Sequence, residues 1–243
     1  MTALIAAEWL KLRTTRLLVA TLPIAAVLSV AAVTGMALSG HSDEAATAEG
    51  AQRILSVAGA GAIVLLIVGI LISAGEHRHG TVTDTYLTTP QRQRVLTAKF
   101  LVAGSLGVVS GFTTAAACVL AAYGITEGRG SALLLDSGGV WLTLPGTAVY
   151  TGLFAVLGAA IGAIARNQVV AIAITLGWIA IVEHTLVNLI PTAGRWLPVG
   201  AGQAILRTPI DGLLSPPAAV AVLTAYTALA ATAGVMIERS RDA

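Results

Sequence analysis

This sequence is poor in charge. Only 11% of its 243 residues are Asp, Glu, Lys or Arg, against about 25% in ordinary soluble proteins, while 56% are hydrophobic. A soluble fold is excluded and the chain reads as an integral membrane protein. The net charge of +2 comes from charges in short flanks between apolar runs, so it does not imply nucleic acid as a partner. A single cysteine, Cys118, rules out an intrachain disulfide and any CxxC redox or metal centre. Lying in an apolar run, it reads as a small packing residue. The only lysines, Lys11 and Lys99, are followed by Leu12 and Phe100, so the chain has no GxxxxGK(S/T) loop to wrap phosphates with backbone N–H groups. HExxH and GxSxG are also missing. The expectation is a chain that is not an enzyme and carries no cofactor of its own.

What is present is a series of apolar runs, at 17–38, 54–74, 100–123, 140–164, 169–190 and 218–237. Each reaches the roughly 20 residues that a helix needs to cross a bilayer, and the fold class expected is an all-α, six-span membrane protein in one domain. Within residues 1–16, Ile5, Trp9 and Leu12 form one helical stripe with Glu8, Lys11 and Arg13 elsewhere, the pattern of a helix lying in the membrane interface. The run after it is too long for a cleaved signal peptide and is read as a retained first span. Residues 39–53 and 124–139 read as outside loops, Pro145 as a kink or helix start, and 165–168 as a short turn joining two antiparallel spans. Segment 191–217 contains five prolines yet keeps Trp196, Leu197, Ile205, Leu206, Leu213 and Leu214; it is expected to re-enter the membrane from outside as short helices. Lys99 is expected to snorkel at the start of the third span.

With a cytoplasmic N-terminus, Lys11, Arg13, Arg16, Arg78, Arg92, Arg94, Lys99, Arg166, Arg239 and Arg241 fall inside. Only Arg53, Arg129, Arg195 and Arg207 fall outside. The excess of inside cations favours this orientation, with both termini and residues 76–99 in the cytoplasm. Two GxxxG pairs, Gly107 with Gly111 and Gly158 with Gly162, allow close helix approach in a packed bundle or at a dimer face.

Residues 76–99, EHRHGTVTDTYLTTPQRQRVLTAK, form the long polar interruption on the inside. His77 and His79 flank Arg78, and a cation between two imidazoles with no other clustered ligand argues against a metal. Gly80 and Thr81 can start a short helix, with Thr81 as cap and Val82, Tyr86 and Leu87 on one face until Pro90 stops it. Thr and Val hold a helix poorly, so this one needs a partner surface; the alternative is a solvated loop serving topology alone. Within the fifth span stands Glu183, beside His184. A carboxylate in hydrocarbon must face the bundle or a water-filled cavity. It reads either as a polar point on a translocation path or gate, or as a structural group bonded to His184, Asn188 or the loop after Pro191.

AEWLKLRTTR near the N-terminus, the 76–99 stretch, LPVGAGQAIL before the last span and the final RSRDA resemble the small permease subunits of type-2 ABC exporters, especially those common in actinobacteria. The most specific part is Glu76, Arg78, His79, Gly80 and Thr81, then Pro90, Gln93–Arg94, Ala98 and Lys99, with Arg92 and Arg94 both candidates for the last arginine. The resemblance implies half of a dimeric exporter in a bacterial plasma membrane, with an identical or related second permease copy. It implies a coupling helix over Gly80–Thr89, hinged at Glu76–His79 and seated on a separate ATPase subunit that holds ATP and Mg. On that basis Glu76, Arg78, His79, Gly80, Thr81, Val82, Thr85, Tyr86, Leu87, Pro90, Arg92 and Arg94 are the expected coupling residues. The scarcity of aromatics and buried charge suits a lipophilic or amphipathic cargo. A non-transporting anchor, immunity protein or sensor partner of an ATPase is the alternative, with a secondary transporter behind it.

Overall fold

The computed structural model describes residues 1–15, 17–39, 45–79, 91–134 and 138–239, apart from the side chains of 77–79, 138, 184, 188 and 191. Among the described residues there is no strand. The helices are α1 (Thr2–Thr14), α2 (Leu17–Ser39), α3 (Ala48–Leu55), α4 (Ala62–His79), α5 (Arg92–Gly128), α6 (Gly138–Ala165), α7 (Gln168–Gly177), α8 (His184–Leu189), α9 (Pro191–Gly194), α10 (Pro198–Ile205) and α11 (Pro216–Arg239). Six helical stretches among them are long and apolar enough to cross a membrane. The protein is therefore an all-α polytopic membrane protein.

Small residues decide which helices sit at the centre. At Gly162 of α6 an added Cβ would stand 2.7 Å from the Ile70 carbonyl oxygen of α4, and Gly158 is packed as hard against Leu66. At Gly107 of α5 a Cβ would stand 2.6 Å from the Thr151 carbonyl oxygen of α6, with Gly111 against the next turn of the same helix. Both GxxxG pairs are thus used up inside one subunit, on either side of α6, and Thr151 Oγ1 donates across the second contact to the Gly107 carbonyl at 2.8 Å. The consequence is a graded bundle. The most apolar stretches of Ala48–Glu76 and Gly139–Ala165 are 67% buried, but those of α2, α11 and Gln168–Val187 only 17–18%. The outer helices leave most of their apolar surface for lipid or another chain.

Several boundaries differ from the sequence reading. Part of the loop expected over 39–53 is helical: Thr47 Oγ1 accepts from Gly50 N at 3.0 Å and caps α3, which buries Ala51, Ile54 and Leu55. A 3₁₀ turn at Ala58–Gly61 separates α3 from α4. Gly61 N there donates to Ser29 Oγ of α2 at 2.9 Å. Helix α5 is 37 residues long, about 55 Å at 1.5 Å per residue, because polar turns at both ends continue the apolar run. Helix α6 runs through Pro145, starting at Gly138.

The stripe of α1 also lies differently. Leu12 is buried, with Ile5 and Trp9 packed against a core that includes Leu65, Val68, Ile72 and Val102. The stripe faces protein, and Glu8, expected away from it, is buried too.

Arg129, just past the end of α5, donates to the Ala37 carbonyl at 2.7 Å and the Leu38 carbonyl at 3.1 Å. A guanidinium on the last carbonyls of α2 satisfies groups that the helix leaves unpaired and complements its dipole. Arg129→Ala is expected to lower stability by roughly 0.3–1 kcal/mol, with faster amide exchange confined to the last turn of α2. Unchanged exchange there would count against this capping role.

Candidate functional site

Two ion clusters meet on the first turns of α5. In the first, Lys99 is almost fully buried and donates to Glu8 Oε2 at 3.0 Å and to the Ile72 carbonyl at 3.1 Å. Its ammonium also lies 2.9 Å from Glu76 Oε1. Lys11 closes the cluster, 2.8 Å from Glu8 Oε1 and 2.7 Å from Glu76 Oε1. The snorkelling expected of Lys99 does not occur, because two carboxylates and a carbonyl hold its ammonium inside. Two anions and two cations balance. Desolvation is costly for each, so such a cluster persists only with all its partners in place. Burial alone would lower the Lys11 pKa, but the hydrogen bonds to Glu76 and Glu8 together with the negative charges of both carboxylates outweigh it and hold the ammonium above the ordinary lysine value.

The second cluster centres on Glu238 near the end of α11, which is buried. Its carboxylate pairs with Arg166 and, at 3.5 Å, with Arg92 Nη1. Arg166 sits in the α6–α7 turn at φ 53°, where Asn167 caps α7 by accepting from Val169 N and Val170 N. Arg239 adds a bond from Nη2 to Gln93 Oε1 at 2.6 Å. Residues 92–99 are thereby tied to α1, α4, the α6–α7 turn and α11.

Of the residues singled out from the sequence, the structure gathers Glu76 and Arg92 into these clusters and leaves Arg94 exposed. Gly80, Thr81, Val82, Thr85, Tyr86, Leu87 and Pro90 lie outside the described residues, as do the side chains of Arg78 and His79. No site role follows from the sequence alone for Glu8, Lys11, Lys99, Arg166 or Glu238. A signal existed in part: a chain this poor in charge puts Glu8 and Lys11 one helical turn apart beside a Trp.

Glu183 is buried, and its Oε2 accepts from Val199 N at 2.7 Å in the first turn of α10. Pro198 has no N–H to satisfy, so this bond tethers the first free donor of that helix. The partner lies in the segment after Pro191, and the His184 side chain is outside the described residues. A π-helical stretch, Trp178–Glu183, follows α7; such widened turns often mark functional positions. Glu183 also lines a cavity of about 240 Å³ with Leu66, Phe154, Leu157, Ile161, Thr175, Trp178, Ile179, Leu197, Pro198 and Tyr226. Among the described residues no group of three or more His, Cys, Asp or Glu could hold a metal ion.

Comparison with known proteins gives one assignment. The family model described as ABC-2 family transporter protein matches residues 4–181. No curated protein matches the chain.

Proposed function

We propose that this chain, which belongs to the ABC-2 family of transporter proteins and is thus a permease component of an ABC transporter, forms the export path for a lipophilic or amphipathic compound such as a drug, antibiotic or lipid-like molecule. In this reading ATP and Mg bind a separate ATPase subunit, and residues 76–99 receive its stroke. The observation that carries the reading is the closure of that segment. Glu76 and Lys99, its two ends, are in direct contact at 2.9 Å and are both tied to α1. A push on residues 80–89 therefore reaches α1, α4 and α5 together, and through Arg92 and Glu238 reaches α11. A loop with loose ends would dissipate the same push.

The complex would be a dimer of permease halves, identical or related, in a bacterial plasma membrane with both termini cytoplasmic. The large apolar surface left on α2, α7 and α11 supports a second copy alongside lipid. The aspartate variants Tyr86→Asp and Leu87→Asp are expected to cut ATP-driven transport into vesicles at least tenfold while leaving the protein folded. Stimulation of an ATPase encoded beside this chain should fall in parallel. Normal ATPase binding and transport in both variants would refute the coupling role, and transport that survives a Walker-dead ATPase would refute the ABC mechanism. A non-transporting partner would stimulate the ATPase without moving any compound.

A further inference from the structure

The cavity beside Glu183 combines features that a packing defect would not. Its walls are aliphatic except for Thr175, Glu183 and three aromatic rings, Phe154, Trp178 and Tyr226. In a chain with only 5% aromatic residues, three around one cavity is a concentration that calls for a cause. Phe154 is fully buried, whereas Trp178 is 49% and Tyr226 39% exposed, so the cavity is reached from the side where the Trp178–Glu183 stretch and α11 carry these two rings. Glu183 itself is 1% exposed. Among the described residues no Lys, Arg or His pairs with its carboxylate, which accepts hydrogen bonds from the Val199 N–H and from the Trp178 side chain.

A carboxylate set in apolar walls repels an anion and gains little from a neutral molecule, but it pairs strongly with a cation that can shed water. Aromatic faces add attraction for the same charge, most for ammonium groups with a weakly held hydration shell. The volume of about 240 Å³ is below the roughly 300–1,000 Å³ of drug-sized sites. It admits a compact group rather than a whole large ligand. We infer that this cavity is a lateral binding site, within a single subunit, for the ammonium-bearing end of an amphiphile, with Glu183 as counter-ion and Trp178 and Tyr226 as the cation-facing rim. The inference deepens the export reading and rests on it only for the claim that such an amphiphile is cargo. An ammonium could come from a free lipophilic amine or from a lipid headgroup, and the site chemistry is the same for both.

The test uses the full chain in nanodiscs of phosphatidylglycerol, which has no ammonium, and equilibrium dialysis of phenethyltrimethylammonium against its neutral carbon isostere, 1-phenyl-3,3-dimethylbutane, with uptake by empty discs of the same lipid subtracted for each probe. The cation should bind at least about tenfold more tightly than the isostere. Glu183→Gln keeps an oxygen for the Val199 N–H and should abolish the preference. Tyr226→Leu leaves carboxylate and helix start intact and should weaken the cation several-fold more than the isostere, which keeps the test decisive if Glu183→Gln fails to fold. Competition by phosphatidylethanolamine discs would assign the site to a lipid headgroup, and its lack to a free amine. Equal binding of the two probes, no binding of either, or a preference that survives Glu183→Gln would overturn the inference. The assay needs neither ATPase nor transport. Loss of the export reading in the coupling experiment would therefore leave this result standing, and the reverse also holds.

Discussion

Lys99→Ala is expected to lower stability by about 3–5 kcal/mol and to remove most folded protein from the membrane. The ammonium is buried and holds three partners at once, Glu8, Glu76 and the Ile72 carbonyl. Truncation leaves two carboxylates to share Lys11, which lies nearer the surface. The penalty comes from the stranded charges rather than from any net value of the intact cluster, since a complete buried network contributes little over an apolar replacement. That distinction has its own expected result. Glu8→Met with Lys99→Met removes one charge of each sign and keeps the Lys11–Glu76 contact, so the double variant should recover most of the loss. Melting temperatures in detergent for the two single variants and the pair give the coupling directly. A Lys99→Ala protein that melts with the wild type, or a pair whose losses simply add, would show that the cluster is not a unit. If residues 76–99 receive an ATPase stroke as proposed above, folded Lys99→Ala protein should lose ATPase stimulation more than ATPase binding.

Gly158→Ala carries the other large effect. A methyl at this position would stand 2.8 Å from the Leu66 carbonyl carbon and 3.0 Å from its Cα, as well as overlapping the carbonyl oxygen. These are backbone atoms, and no rotamer change relieves the overlap. Helices α4 and α6 must separate along this contact, at a cost on the order of 1–3 kcal/mol or more. Gly124→Ala in α5 is the matched control, because nothing lies within 4 Å of its missing Cβ. Ala there should be neutral or stabilising by roughly 0.5–1 kcal/mol, since it restricts the unfolded chain without strain. Thermal melts of both variants decide the matter. Equal melting temperatures would mean that the close approach of α4 and α6 is not required.

The two glycine pairs also show where sequence reading stops. Spacing of four residues announces a face that allows close approach, but the same face would serve a second subunit or a neighbouring helix. Three-dimensional packing makes the choice, and it assigns Gly107 and Gly111 to α6 and Gly158 and Gly162 to α4. The lightly buried helices α2, α7 and α11 are then the ones with apolar surface to spare. Glu183 was conspicuous as a lone carboxylate in an apolar run, yet its bond to Val199 spans 16 positions and two intervening short helices, which no local pattern encodes. In α1 the stripe was legible, though its direction was not. A helix with apolar residues on one side looks the same whether that side meets lipid or protein, and only packing against Leu65, Val68 and Ile72 distinguishes them.

Composition by itself determined the solvent: a chain with 11% charge and six long apolar runs has its fold class set by the need to satisfy every backbone polar group inside hydrocarbon. The sequence also excluded a P-loop, since that loop requires a GxxxxGK(S/T) arrangement and both lysines stand before Leu12 and Phe100 instead. What tertiary structure alone decided was the pairing of its few charges. Glu8, Lys11, Glu76 and Lys99 are spread over 91 positions of sequence, and electrostatic partners in a low-dielectric interior are chosen by distance in space. The fold turns four scattered flank residues into one cluster, with Lys99 and Glu8 buried and Lys11 nearer the surface, at both ends of the 76–99 segment.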